Sequence, residues 1–182
     1  MKLLKRITVK KCFDPTINTD VKPYNAARAV LLDDNNMIAV LYLRKYEFYT
    51  LPGGGIDHGE TAVQGLAREM LEETGCNCEI IHHLGIIEEN SLTYNWWVHS
   101  ECFLARIKGE KGTPSLTQRE LDEEPHVQWH SMQEALRLIE TQNIDNMPNV
   151  ESARNAVAMK IIQERDITML HEAMAHIVTS YT

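Results

Sequence analysis

Two apolar, β-prone runs, residues 26–33 and 37–43, flank Asp33-Asp34-Asn35-Asn36, a cluster of turn formers. That pattern predicts a β-hairpin. Leu51-Pro52-Gly53-Gly54-Gly55 then interrupts the apolar pattern. Three successive glycines suit neither a strand nor a helix interior, so a loop is expected there. Over residues 61–74 the period becomes helical. At ~100° per residue, Val63, Leu66, Ala67, Met70, Leu71 and Thr74 fall within one arc of roughly 140°, the expected core face. β-prone residues return over 79–87 and again over 96–107, where Trp97, His99, Glu101 and Phe103 alternate with Trp96, Val98, Ser100 and Cys102. Residues 108–125 are polar, carry Gly109, Gly112, Pro114 and Pro125, and are expected to be mainly loop. A short strand is predicted over 127–129. Ser131 with Glu134 resembles a capping box opening a helix through Glu140. Pro148 marks a break, and residues 150–164 and 167–178 predict one kinked helix or two short ones.

A length of 182 residues corresponds to about one domain with room for an appendage. The break near Pro148 divides the chain into a domain over 1–146 and a helical extension over 147–182, expected to pack on the same core. Apolar residues make up 43% and charged residues 24%, a balance that excludes disordered, collagen-like and coiled-coil classes. The formal net charge of −8 has no long basic run to offset it, which argues against a nucleic-acid polymer as partner. An anionic substrate would need a cation between it and such a protein. The first 14 residues are basic (Lys2, Lys5, Arg6, Lys10, Lys11) but contain no apolar stretch of signal-peptide length. No window reaches membrane-spanning length, so no membrane partner and a cytoplasmic location are expected. Cys12, Cys76, Cys78 and Cys102 are scattered, and the single residue between Cys76 and Cys78 is shorter than common zinc spacings. They read as small apolar residues in a reducing compartment.

The candidate chemistry lies on the helix over 61–74. Glu69, Glu72 and Glu73 stand at i, i+3 and i+4, within an arc of roughly 100° adjoining the apolar one. Like charges at that spacing weaken a helix unless something compensates. A hard divalent cation does so, and a solvated acidic face is the plainer alternative. The flanking residues favour the cation. From Gly54, five residues precede Glu60 and seven more precede Arg68-Glu69; Met70, Leu71, Glu72-Glu73, Thr74, Gly75 and Cys76 follow. This resembles the Nudix box, G-x5-E-x7-R-E-U-x-E-E-x-G-U with U apolar. Every fixed position matches, Cys76 being a less usual but apolar final U. The box covers residues 54–76, and the strands around it occur in the order a Nudix domain needs.

The resemblance implies an α/β fold, an α/β/α sandwich around a mixed β-sheet, here with a C-terminal helical extension. It also implies bound Mg²⁺ or Mn²⁺. By the same carry-over the Gly53 carbonyl is a metal ligand, Glu72 and Glu73 are the main ligands, and Glu69 is a ligand or the base that deprotonates water. Gly54 and Gly55 let the backbone approach a diphosphate. Glu60 and Arg68 are expected to bridge and brace the loop. A further acid from outside the box is expected among residues 120–124, with Glu123 favoured over Glu120 and Glu124. Arg28 and, less so, Arg44 and Lys45 are candidates for phosphate contact. Tyr46, Phe48, Tyr49, Trp96 and Trp97 are candidates for stacking on a base, and His58 could touch substrate from the box loop.

The implied reaction is metal-dependent hydrolysis of a diphosphate linkage in a small nucleoside diphosphate derivative. That derivative could be a nucleoside triphosphate, a nucleotide sugar or a dinucleoside polyphosphate. Tyr94 lies 18 residues beyond Cys76, which resembles a tyrosine spacing of dinucleoside polyphosphate hydrolases. The proline expected of ADP-ribose pyrophosphatases is absent from residues 90–93. A catalytically silent nucleotide-binding or regulatory module of the same fold is the alternative, weighed against by the intact Glu69, Glu72 and Glu73. The isopentenyl diphosphate isomerase branch has degenerate boxes and fits less well. The C-terminal helices could pack on the core, cover the substrate or form a homodimer interface.

Overall fold

The computed structural model describes residues 1–9, 24–91, 96–150 and 152–179. Among the described residues eight strands form one mixed sheet: β1 (Leu3–Val9), β2 (Tyr24–Leu32), β3 (Ile38–Leu43), β4 (Phe48–Thr50), β5 (Gly53–Gly55), β6 (Cys78–Ser91), β7 (Trp96–Ile107) and β8 (Pro125–His130). The main path runs β1-β6-β7-β2-β3-β4, with β5 paired to β2 and β8 to β3. The β1–β6 and β2–β7 pairs are parallel, and the others are antiparallel. Helix α1 (Ala62–Thr74) covers one face, while α3 (Met132–Thr141) and α4 (Ala153–Thr179) cover the other. A short α2 (Gln118–Leu121) interrupts the polar segment before β8. Among the described residues no helix is long and apolar enough to cross a membrane.

The two faces of the sheet bury different residues of the same strands, because side chains alternate along a strand. Val30, Leu32, Val40, Cys102 and Leu104 meet Ile139, Ile161, Met169 and Leu170 on the α3/α4 side. Ala27, Ala29, Leu31, Phe103 and Ala105 meet Leu66 and Met70 on the α1 side. The small Ala27 and Ala29 of β2, with Ala105 of the neighbouring β7, let α1 approach the sheet closely, which is what places the box against it.

Several sequence expectations need correction. The three glycines do not start a loop: Gly53–Gly55 form β5, in register with Arg28, Ala27 and Ala26. Glycine is required because Gly53 has φ +128 and a Cβ there would lie 2.3 Å from the Ala27 carbonyl oxygen. The buried face of α1 is rotated from the apolar arc. Val63, Ala67 and Leu71 are exposed, whereas Gly65, Leu66, Glu69, Met70 and Thr74 are buried. Periodicity set the acids beside the apolar arc, but the β2–β5 layer lies on that side of the helix and brings Glu69 into the buried face. Helix α4 is one continuous element, not two short helices, and no proline or glycine lies within it. Strand β1 carried no clear alternation signal and is held by pairing with β6. The hairpin of β2 and β3 forms with Leu32 opposite Ile38, and Ser131 caps α3 by accepting from the Glu134 amide at 3.2 Å.

Candidate active site

Thr61 opens α1 with a capping box: its hydroxyl accepts from the Gln64 amide, and the Gln64 side chain accepts from the Thr61 amide. At the other end Gly75 takes the left-handed conformation (φ 70) and its amide donates to the Leu71 carbonyl. Between these caps Arg68 joins most of the acids. Its Nε donates to Glu60 Oε1 at 3.1 Å and its Nη1 to Glu69 Oε1 at 2.8 Å and Glu72 Oε2 at 3.0 Å. Its Nη2 donates to the Gly55 carbonyl at 2.7 Å and to Glu60 Oε2 at 3.1 Å. Arg68 therefore ties the β5 loop to the helix as well as balancing three carboxylates. Hydrogen bonding to Arg68 holds Glu60 below its ordinary range, and the same bonds, led by Glu60, push Arg68 up.

Glu69 is only 6% exposed and packs against Gly54, where a Cβ would lie 2.6 Å from its carboxylate. Burial raises its pKa, and Arg68 offsets part of that shift. Glu73 turns the other way, and its Oε2 accepts from the Gly53 amide at 2.6 Å. The Gly53 carbonyl accepts from Arg28 Nη1. Glu69, Glu72, Glu73 and Gly53 thus occupy one neighbourhood between α1 and β5. Among the described residues, however, no three His, Cys, Asp or Glu side chains converge on a single point. Arg68 holds two of the carboxylates and the Gly53 amide the third.

A cavity of about 560 Å³ opens beside this cluster. Gly53, Glu73, Arg28 and Arg165 line one part of it, Asp122 and Glu123 another, and Lys45, Tyr46, Phe48, Asn155, Met159 and Ile162 the remainder. Glu123 reaches it because the 122–124 turn is hydrogen bonded to the β3–β4 hairpin, through Lys45 N to the Glu123 carbonyl at 3.3 Å and Arg44 N to the Glu124 carbonyl at 3.2 Å. Arg28 Nε is buried without a hydrogen-bond partner among the described residues. Burial, together with neighbouring Arg165, pulls the Arg28 pKa down.

The other candidates are placed as follows. Tyr46 and Phe48 both border the cavity, Tyr46 with Lys45 over its ring at 5.4 Å and Phe48 at only 1% exposure. Tyr49 stacks on Tyr42 with ring centroids 4.8 Å apart, and Trp96 packs against the α3/α4 core. Trp97 lies on β7 and does not line the cavity. His58 is exposed, and Arg44 pairs with Glu124 at 3.7 Å. Tyr94 and Cys12 lie outside the described residues, as does the Glu120 side chain. Cys76, Cys78 and Cys102 are free thiols, and burial pushes Cys102 up to about 12. The sequence reading missed Asn155, Met159, Ile162 and Arg165. A signal for the last existed: Arg165 is four residues from both Ile161 and Met169, on an otherwise apolar stripe.

Comparison with known proteins decides the family. The NUDIX domain profile matches residues 22–150, more than half of the chain. The chain belongs to the NUDIX domain family. A Bacillus subtilis (strain 168) protein, provisionally named an 8-oxo-dGTP diphosphatase, is 32% identical over 62 residues. That match covers 34% of this chain and 42% of the relative, so it spans less than half of the curated protein. Two solved structures share the NUDIX fold at low identity. A UDP-X diphosphatase aligns with TM-score 0.54 at 17% identity, covering 88% of this chain and 68% of that one. A C. elegans Ap4A hydrolase aligns with TM-score 0.55 at 14% identity, covering 86% of this chain and 99% of that one.

Proposed function

We propose that this NUDIX protein hydrolyses a diphosphate linkage in a nucleoside diphosphate derivative, with Mg²⁺ or Mn²⁺ as cofactor. The observation that carries this reading is the meeting of Gly53, Glu73 and Arg28 on the wall of one cavity, with Glu69 and Glu72 on the adjoining face of α1. The donor set fits a hard cation. It consists of carboxylates and a backbone carbonyl, all oxygen, and Gly54 leaves space beside Glu69 that any side chain would fill. Glu69, Glu72, Glu73 and the Gly53 carbonyl would hold the ion, with Glu123 as the ligand from outside the box. When bound, such an ion screens the diphosphate and lowers the pKa of water.

The residues of the chain supply the remainder. Arg28, with its unpartnered Nε, donates to a phosphoryl oxygen, and Gly54 and Gly55 keep the backbone free of side chains where the phosphates lie. Glu69 accepts the proton of the attacking water, a task that its raised pKa suits. The water oxygen bonds to phosphorus as the bridging P–O bond breaks, leaving two phosphate-bearing products. Glu60 and Arg68 brace the loop. Nucleoside triphosphates, nucleotide sugars and dinucleoside polyphosphates are the substrate classes, in keeping with the names of the relatives above. The test is product release from a panel of these, comparing wild type with Glu72→Gln and Glu73→Gln. One class should turn over, and each variant should lose about 10²–10⁴-fold in kcat. Nucleotide binding without turnover of any class would instead make the protein a silent binding module.

A further inference from the structure

Helix α4 carries two adjacent charged side chains that the chemistry above leaves unused. Arg165 is 1% exposed and Asp166 0%, in a helix whose neighbouring turns give Ile161, Met169 and Leu170 to the core. A buried ion pair is weak evidence of a stabilising role, since well-packed apolar residues serve as well or better. What the pair holds is more informative. Asp166 Oδ2 accepts from the Leu51 amide at 3.0 Å and from the Thr50 hydroxyl at 2.7 Å. Arg165 donates from Nε to Asp166 Oδ1 at 2.8 Å and from Nη2 to Thr50 Oγ1 at 3.2 Å. Its Nη1 stands 3.6 Å from Glu89 Oε2.

Thr50 and Leu51 lead directly into the site. The next carbonyl, that of Pro52, accepts from the Ala29 amide at 3.1 Å. Gly53 follows, with its amide on Glu73 and its carbonyl on Arg28. The segment from 50 to 53 is therefore clamped by α4 on one side and β2 on the other, and its far end sets where the Gly53 carbonyl points. Arg28 and Arg165 border the same cavity as Gly53 and Glu73. Two like charges can be held so near one another because Glu89, Glu73 and Asp166 face them.

We propose that Asp166 and Arg165 are positioning residues, fixing the Gly53 carbonyl and the Arg28 guanidinium against α1 through Thr50 and Leu51. This rests on the hydrolase reading, and extends the active apparatus to the C-terminal helix. The test compares full-length wild type with Asp166→Asn and Thr50→Val. The three readouts are thermal unfolding, Mn²⁺ affinity by calorimetry without nucleotide, and kcat and KM on the substrate class that turns over. Thr50→Val removes only the hydroxyl and keeps the Leu51 bond, so it decides the matter if Asp166→Asn does not fold. Both folded variants should bind Mn²⁺ about tenfold more weakly and lose about 10- to 100-fold in kcat at nearly unchanged KM. The Gly53 amide resonance should move as well. Folded variants with wild-type Mn²⁺ affinity and kcat would overturn the proposal, as would losses that merely track the unfolded fraction. A wild-type protein that neither binds Mn²⁺ nor cleaves a diphosphate would instead remove the hydrolase reading, and this proposal with it.

Discussion

Burying Glu69 at 6% exposure makes its ionised form costly, and Arg68 compensates only in part, so the pKa rises. The sign follows from that shift. The stability Glu69 contributes is present below the ordinary value of 4.5 and is lost as pH climbs through the raised value of the folded state. Glu69→Gln keeps the shape without the charge. In metal-free solution at neutral pH it is expected to raise Tm by a few degrees, a gain that fades as the pH falls below 4.5, while abolishing most turnover. Calorimetry across pH in the presence of a chelator checks it, and an unchanged or lower neutral-pH Tm would contradict it. Asp33 behaves oppositely. Burial would raise its pKa, but Lys111 and the Met37 and Asn35 amides hold it below the usual carboxylate range. Its contribution is present above 3.8 and disappears as pH falls through the depressed value. Asp33→Ala should cost about 1–3 kcal/mol at neutral pH by denaturant titration, because it strands those donors.

Helix α1 shows how an element can be read correctly and still be misoriented. Its span was legible because the box fixes Glu60, Arg68, Glu69, Glu72 and Glu73 by spacing and Thr61 and Gly75 are cap residues. Its buried face was not, since periodicity assumes that acids face water, whereas Glu69 packs under β5. β5 itself was hidden for a related reason: glycines carry no strand propensity, and what requires them is close approach to groups distant in sequence, the Ala27 carbonyl at Gly53, the Glu69 carboxylate at Gly54 and the Tyr24 hydroxyl at Gly55. Within residues 120–124 the sequence favoured Glu123, and a turn bonded to the β3–β4 hairpin brings Glu123 to the cavity wall together with Asp122, which the sequence did not single out. At the C-terminal end of α1, the Gly112 amide donates to the Gly75 carbonyl at 3.1 Å and the Ser115 amide to the Glu72 carbonyl at 2.8 Å. The loop thus buttresses the turn bearing Glu72 and Glu73. Gly75→Ala should cost roughly 1–2 kcal/mol from the left-handed backbone alone. Its Cβ would also lie 2.5 Å from Gly112, so the loop must shift, and kcat should fall with Tm.

For the whole molecule, the C-terminal helix is the part that local patterning described least. Its apolar content was evident, but no periodicity says that Ile161, Met169 and Leu170 share one core with Ile7 of the first strand. A chain ending at residue 152 would leave that sheet face covered by α3 alone. It is expected to lose its near-ultraviolet circular dichroism and its cooperative thermal transition, and a sharp transition in the truncated protein would contradict this. The net charge of −8 sets a further condition, since a polyanion can approach only where cations are concentrated. On the cavity wall Arg28, Arg165 and Lys45 are matched by Glu73, Asp122 and Glu123, so a polyanion there would need the added charge of a bound cation.

Lys2 pairs with Glu172 and Lys5 with Glu164, so β1 is stapled to a helix some 170 positions further along the chain. A ribosome makes β1 long before it makes α4. The part of the sheet face that α4 covers therefore waits while the intervening chain is made, and the nascent chain is most open to chaperones and to aggregation in that interval. Because Asp166 of the same helix accepts from Thr50 and Leu51, the segment leading into the glycine strand is held only once α4 has docked, well after every residue of the box has been made.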